Sequence, residues 1–170
     1  MDDSDDPSPI EWNAWTPEIR ATLMFVVDKF EVLLIKKLRG IGMGKINGPG
    51  GKIDPGESAL QSAVRETQEE LHVTPINPRK MGELFFAMTD LPDIHCHVYM
   101  AKEFEGTPTE TDEAIPRWTR MDQIPYDLMW EDDKYWLPQM LEDDRTFEGR
   151  FCFEGERIRW KKLEFDVPMY

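Results

Sequence analysis

Cysteine is scarce in this 170-residue chain, with Cys96 and Cys152 its only two. Their separation fits neither a metal knuckle nor a disulfide framework, so the expected setting is reducing and cytoplasmic. Basic charge is also short: 20 Lys and Arg stand against 34 Asp and Glu, a formal net charge of −14. That balance argues against broad binding to a nucleic-acid polymer or an anionic membrane. It does not argue against one nucleotide whose phosphates are offset by a divalent cation. No apolar run reaches the roughly 18 residues of a membrane-crossing helix. The opening MDDSDDPSP lacks the basic-then-apolar order of a signal peptide. Neither an internal repeat nor a low-complexity linker is evident, and the length suits one domain with a substantial core. The ten methionines are scattered and read as core filler.

What the chain does have is concentrated between Gly51 and Val73, GKIDPGESALQSAVRETQEELHV. Glu66, Glu69 and Glu70 fall on one side of a helix, because positions three and four apart share a face. Leu60, Ala63, Val64, Thr67 and Leu71 follow the rhythm of a buried stripe on an adjacent side. Ser58 is the expected N-cap, since Pro55 and Gly56 disfavour helix just before it. Three crowded carboxylates repel one another, and a divalent cation between them relieves that repulsion. The competing reading is a solvated acidic helix face.

The rest of the chain reads as strands around this helix. Residues 1–9 are expected to be disordered, within an acidic tail and lead-in over 1–18 that precedes a domain over 19–170. Ala21–Val27 and Phe30–Lys36 read as strands about an Asp28-Lys29 turn. Arg39–Gly51 holds six glycines and reads as a loop entering a site. Residues 74–79 form a connector, and Gly82–Thr89 and Ile94–Phe104 an antiparallel pair. Arg117–Arg120 reads as a short strand, Trp130–Leu141 as a second helix weakened by Pro138, and Phe147–Phe153 with Arg157–Phe165 as a terminal hairpin. The class is mixed α/β. Lys36, Lys37, Arg39, Lys45 and Lys52 form a basic patch around the glycine loop, read either as phosphate-facing in part or as ordinary surface charge. His95 and His97 share a strand face but show no third ligand in the sequence, so they read as ordinary strand residues.

The order Gly51, Glu57, Arg65-Glu66, Glu69-Glu70 resembles the signature of the Nudix (MutT-like) hydrolases. It departs at His72, where that family usually has glycine, and at Thr67, where it usually has an aliphatic residue. The resemblance implies an α/β/α sandwich with a mixed sheet. It implies Mg²⁺, with Mn²⁺ as a substitute, held by Glu66, Glu69, Glu70 and the carbonyl of Gly51, with Glu113 joining from the TDEA segment. It implies Glu69 or Glu70 as the base that activates water, and Arg65 as the partner of Glu57. Outside this box, RGIGMGKINGPGGK, TPTETDEAIPRW and LMWEDDKYWLPQML are similar to the oxidised-purine nucleoside triphosphatase branch of the family, over about Thr22 to Phe165. On that likeness Asn47 contacts the base, Asp132 and Asp133 face the purine edge, Trp130 stacks on the ring and Phe86 forms an aromatic wall. Thr22 and Lys37 line the pocket. Ile41 replaces a phenylalanine of that branch, which implies a looser base platform.

The implied reaction is hydrolysis of 8-oxo-dGTP or 2-oxo-dATP to a monophosphate and pyrophosphate, cleansing the nucleotide pool, by a monomer. Alternatives are a Nudix hydrolase of another substrate (a methylated purine triphosphate, a dinucleoside polyphosphate or a capped RNA end) and a non-catalytic nucleotide-binding module. From the residues alone, Asp132 and Asp133 also fit a solvated pair at a helix start, favoured by the dipole. In a dry pocket two adjacent carboxyls do not both ionise, and one that keeps its proton donates while the other accepts. Tyr135 and Trp136 read as core.

Overall fold

Two apolar runs flanking a tight turn form the first hairpin. In the computed structural model, which describes residues 7–169, they are β1 (Ile19–Asp28) and β2 (Glu31–Lys37), joined antiparallel through Val27↔Val32 and Asp28↔Glu31. The turn residues are Lys29 and Phe30, one position later than the expected Asp28-Lys29, and Lys29 takes a left-handed φ of 57°. The glycine loop is not wholly irregular. It contains β3 (Ile46–Asn47), which pairs with β2, and β4 (Gly50–Lys52), which pairs with β1. Gly50 permits that second pairing, because a Cβ there would collide with the carbonyl of Thr22.

Helix α1 (Ala59–Leu71) begins where the sequence places it. The Ser58 hydroxyl accepts from Gln61 N, and the Gln61 side chain returns a bond to Ser58 N, a reciprocal cap. One expected member of its buried stripe differs: Leu60 is exposed in the first turn and Ser62 is buried instead. The helix ends at His72, which takes the left-handed conformation (φ 61°) that glycine adopts more easily.

The connector holds β5 (Thr74–Ile76), which pairs with β8 (Glu103–Glu105) in a separate two-stranded ribbon. The central strands are β6 (Arg79–Met88) and β7 (Ile94–Ala101), antiparallel to each other. β7 also runs parallel to β1, from Ile19↔Ile94 to Val26↔Ala101. β9 (Ala114–Arg120) lies on β2, longer than expected and carrying Pro116. The hairpin β10 (Phe147–Glu154) and β11 (Arg157–Phe165) extends the sheet through β10 parallel to β6. The result is a nine-stranded mixed sheet in the order β11-β10-β6-β7-β1-β2-β3, with β4 on β1 and β9 on β2.

Alternation along β1 supplies both faces of this sheet. Met24 and Val26 pack with Ala63 and Leu71 of α1. Phe25 and Val27 belong to the opposite cluster, which holds Trp136, Leu137 and Met140 of α2 (Asp133–Asp143). Helices on both faces of a mixed sheet give the α/β/α sandwich. The second helix starts three residues later than the sequence suggested and keeps Pro138 inside, its apolar face outweighing one lost backbone bond. Residues 1–6 of the stretch read as disordered lie outside the described residues. The lead-in that follows is packed: Trp15 Nε1 donates to Asp93 Oδ2 (2.8 Å) and its ring meets Phe85 edge-on. Trp12 lies between Trp15 and Trp160.

Candidate active site

The glycine loop, α1 and the start of α2 surround one cavity of about 300 Å³. Its acidic end is built from α1. Arg65 is the organiser there: Nε and Nη2 donate to the two oxygens of Glu57 at 2.6 and 2.9 Å, and Nη2 reaches the Lys52 carbonyl at 3.3 Å. This fork ties the loop before the helix to its second turn, and it holds the Glu57 carboxyl down to about 2. Arg65 Nη1 is shared between Glu66 (3.1 Å) and Glu69 (3.1 Å).

Glu66, Glu70 and Glu113 each bring a carboxylate oxygen within 4.8 Å of the others. Glu113 reaches them from the segment before β9, and Arg39 Nη2 donates to it at 2.6 Å. Gly51 lies against the cluster so closely that a Cβ would sit 2.7 Å from the Glu66 carboxylate. Burial, and then the charge of Glu66, pushes the Glu70 carboxyl up to about 8, with Gly50 N–H (3.4 Å) opposing. Burial also raises Glu66. Three converging carboxylates, two of them pushed up, are the donor set of a hard divalent cation, whose charge would reverse that shift. Glu69 is outside this trio, with its side chain 52% exposed and held by Arg65.

The other end is aromatic. Trp130, Phe86 and Phe153 wall the cavity, Trp130 standing edge-on to Phe153. Asn47 borders it from β3, its Oδ1 accepting the N–H of Gly48 (2.8 Å), which leaves the amide NH₂ to donate. Asp132 and Asp133 close this end, only 2% and 3% exposed. Burial at that level rules out the solvated pair at a helix start. Asp132 Oδ2 accepts from Trp136 Nε1 (2.9 Å), and burial still pushes Asp132 up to about 6. Burial and the charge of Asp132 raise Asp133 well above the carboxylate range, and its Oδ2 has no partner among the described residues. Of the two, Asp133 is therefore the member that holds its proton more tightly, and Asp132 the one that ionises first.

Lys37 borders the cavity between the two ends, with Arg39 and Lys52. Lys36 and Lys45, from the same basic patch, do not. Lys45 lies over the Trp130 ring and pairs with Glu156 (2.6 Å). Thr22 borders the cavity, but its hydroxyl is turned toward Ser62 Oγ (3.4 Å). Ile41 is in the wall. Sequence reasoning missed the apolar wall of Leu23, Met88, Ile94 and Cys96. It also missed what Trp136 does for Asp132, although a spacing of four at a helix start was a signal for it.

Known proteins resemble this chain over most of its length. Residues 17–140 match the family model described as the NUDIX domain. The chain is 43% identical over 140 residues to the oxidized purine nucleoside triphosphate hydrolase of Danio rerio, covering 81% of this chain and 88% of that protein. It is 38% identical over 136 residues to the protein of that name from Mus musculus, covering 79% and 86%. A mutator MutT protein from Bacillus halodurans superimposes with a TM-score of 0.77 at 29% identity, over 86% of this chain and 97% of the other.

Proposed function

This chain belongs to the NUDIX domain family, and from that premise we propose that it hydrolyses oxidised purine nucleoside triphosphates, 8-oxo-dGTP and 2-oxo-dATP, to the monophosphate and pyrophosphate. Relatives named for oxidised purine triphosphates, alike over most of both chains, support that substrate class. The observation that carries the reading is one cavity with a cluster of carboxylates at one end and a buried Asp pair beside Trp130 at the other. Its ends suit the two ends of a nucleotide.

At the base end, Trp130 offers a stacking face, a contact that contributes about 1–3 kcal/mol per base. Asp133 donates its proton to the purine edge and Asp132 accepts, with Asn47 as a further donor. Exchange of that one proton lets the pair meet either an oxidised guanine or an oxidised adenine. Phe86 closes the wall, and Thr22 bounds it through its backbone.

At the phosphate end, Glu66, Glu70, Glu113 and the Gly51 carbonyl would hold Mg²⁺, or Mn²⁺ in its place, with Glu69 reaching in once substrate draws Arg65 away. Bound there, the cation supplies charge neutralisation on the phosphates and acidifies a water. Glu70 faces the cavity and is better placed than Glu69 to take a proton from the attacking water. Lys37 and Lys52 stabilise charge on the phosphate oxygens. Arg65 positions the helix and loop through Glu57. The working unit is residues 19–170, with 1–18 as tail and lead-in, acting as a cytoplasmic monomer without a nucleic-acid polymer. Among the described residues no helix is long and apolar enough to cross a membrane.

Initial rates with Mg²⁺ across 8-oxo-dGTP, 2-oxo-dATP, dGTP and an O6-methyl purine triphosphate test the proposal. The oxidised substrates are expected to lead in kcat/KM. Equal rates with dGTP would remove the pool-cleansing role, and a lead for the methylated substrate would reassign it.

A further inference from the structure

The second cluster of ligating side chains lies on the sheet face turned away from the base-binding wall. Along β7, Ile94 and Cys96 point into the cavity, so His95 and His97 point to the opposite face. Along β6, Phe86 and Met88 border the cavity and Glu83 shares the reverse face with Phe85. The antiparallel register sets Glu83 opposite His97 and Phe85 opposite His95. Glu83 is the third ligand that the strand of two histidines lacked.

We propose that Glu83, His95 and His97 form a transition-metal site, suited to Zn²⁺, separate from the cluster that faces the phosphates. Glu83 Oε1 is 3.0 Å from His95 Nε2 and 3.4 Å from His97 Nδ1, and the three ligand atoms lie within 4.8 Å of one another. His97 Nδ1 is buried and has no hydrogen-bond partner, so a ring nitrogen facing this point is left unsatisfied. The side chains are 14–25% exposed, which leaves a route for an ion and a position for a water. Phe85 stacks on the His95 ring (4.4 Å) and holds its orientation.

Two imidazole nitrogens and one carboxylate oxygen with an open fourth position suit zinc, whereas an all-oxygen set suits magnesium. The two clusters therefore sort different cations. Lys80 Nζ also approaches Glu83 Oε1 (3.4 Å), and Arg20 lies in register beside His95 on β1, its charge felt by His97. These are the positive charges an ion must outcompete. An ion here would clip β6 to β7, the two strands that carry Phe86 and Cys96 into the cavity wall.

Calorimetric titration of the full chain with Zn²⁺, in excess Mg²⁺, tests the site, with Co²⁺ absorption as a second readout of nitrogen ligation. One equivalent is expected to bind. His95→Gln and His97→Ala are each expected to weaken it by about tenfold or more and to bleach the Co²⁺ bands. His95→Gln serves where loss of the more buried ring harms folding. Lys80→Met, which removes the competing cation, is expected to tighten binding, and Glu70→Gln to leave it intact. No zinc uptake by the folded wild-type protein, uptake indifferent to both histidine changes, or uptake abolished by Glu70→Gln would each overturn the proposal.

Discussion

Glu70 is only 5% exposed, between the Glu66 carboxylate and the Gly50 N–H. A glutamine in its place keeps the length and the acceptor for Gly50 while removing the charge and the basic oxygen. Glu70→Gln is therefore expected to fold, with a thermal midpoint at or above wild type, and to lose about 10²–10⁴-fold in kcat. Pyrophosphate release at saturating Mg²⁺ measures this; near-normal turnover would move the base to Glu69. The carboxylates of the phosphate end were legible because they sit in a short pattern of fixed spacing, whereas Asn47, Phe86, Trp130, Asp132 and Asp133 came only from the likeness to a family. Glu66, Glu70 and Gly51 are brought together by one helix and the loop before it. Glu113 lies more than forty residues from Glu70, and only the likeness to a family pointed to it. The place of Glu69 was not legible. A helix face is wide enough to include it with Glu66 and Glu70, but Arg65 draws its carboxylate toward solvent. The state of Asp132 and Asp133 was equally hidden, since it depends on burial by distant elements and on the donor from Trp136.

At the scale of elements, α1 is where sequence and structure agree most closely, and its C-terminus makes a test. His72 takes φ 61°, in the left-handed region where a Cβ costs about 1–2 kcal/mol and glycine pays little steric penalty. The greater freedom that glycine has in the unfolded chain takes back part of this gain. His72→Gly is expected to stabilise the protein by about 0.5–1 kcal/mol, raising Tm by roughly 1–4 °C at this length, with kcat/KM unchanged. A fall in Tm would mean that the His72 side chain does more than close the helix. Both ends of α1 were legible because caps are local. The strands β3, β4, β5 and β8 were not, at two or three residues each. No alternation can register over so short a run, and a partner far along the chain creates each of them. Pro116 hid the first half of β9 for a similar reason: proline argues against a central strand, but β9 pairs with β2 alone and is an edge. Trp12 and Trp15 were passed over in an acidic lead-in, although two tryptophans left in water are a cost that a disordered segment bears; both are half-buried against the sheet.

Across the whole molecule, acidity sets how stability follows pH. The chain carries −14 at neutral pH, yet its carboxyls are not moved alike by folding. Arg65 holds Glu57 at about 2, so its contribution is present above an unfolded value near 4.5 and is lost as pH falls toward 2. Asp132 moves the other way. Burial lifts it from 3.8 to about 6, and Asp133 is lifted further. Between about pH 4 and 6 the folded protein keeps protons on both members of this pair that the unfolded chain has released. Stability from the pair is thus full below about pH 4 and declines as pH rises through 6. One pKa unit corresponds to about 1.4 kcal/mol, so Asp132 alone accounts for about 3 kcal/mol of that decline, and Asp133 adds to it. Raised carboxyls in the phosphate-end cluster slope the same way, so the wild-type profile alone does not isolate the pair. The difference from a double variant, Asp132→Asn with Asp133→Asn, does. Amides fill the same space and carry no titrating proton. Thermal melts from pH 4.5 to 7.5 in saturating Mg²⁺ are expected to show wild type losing more stability than the double variant as pH rises. The gap should widen as pH rises through 6 and go on widening as Asp133 ionises. Parallel profiles would mean that the two carboxyls ionise as freely when folded as when unfolded, which would also remove the proton exchange proposed for reading two oxidised bases.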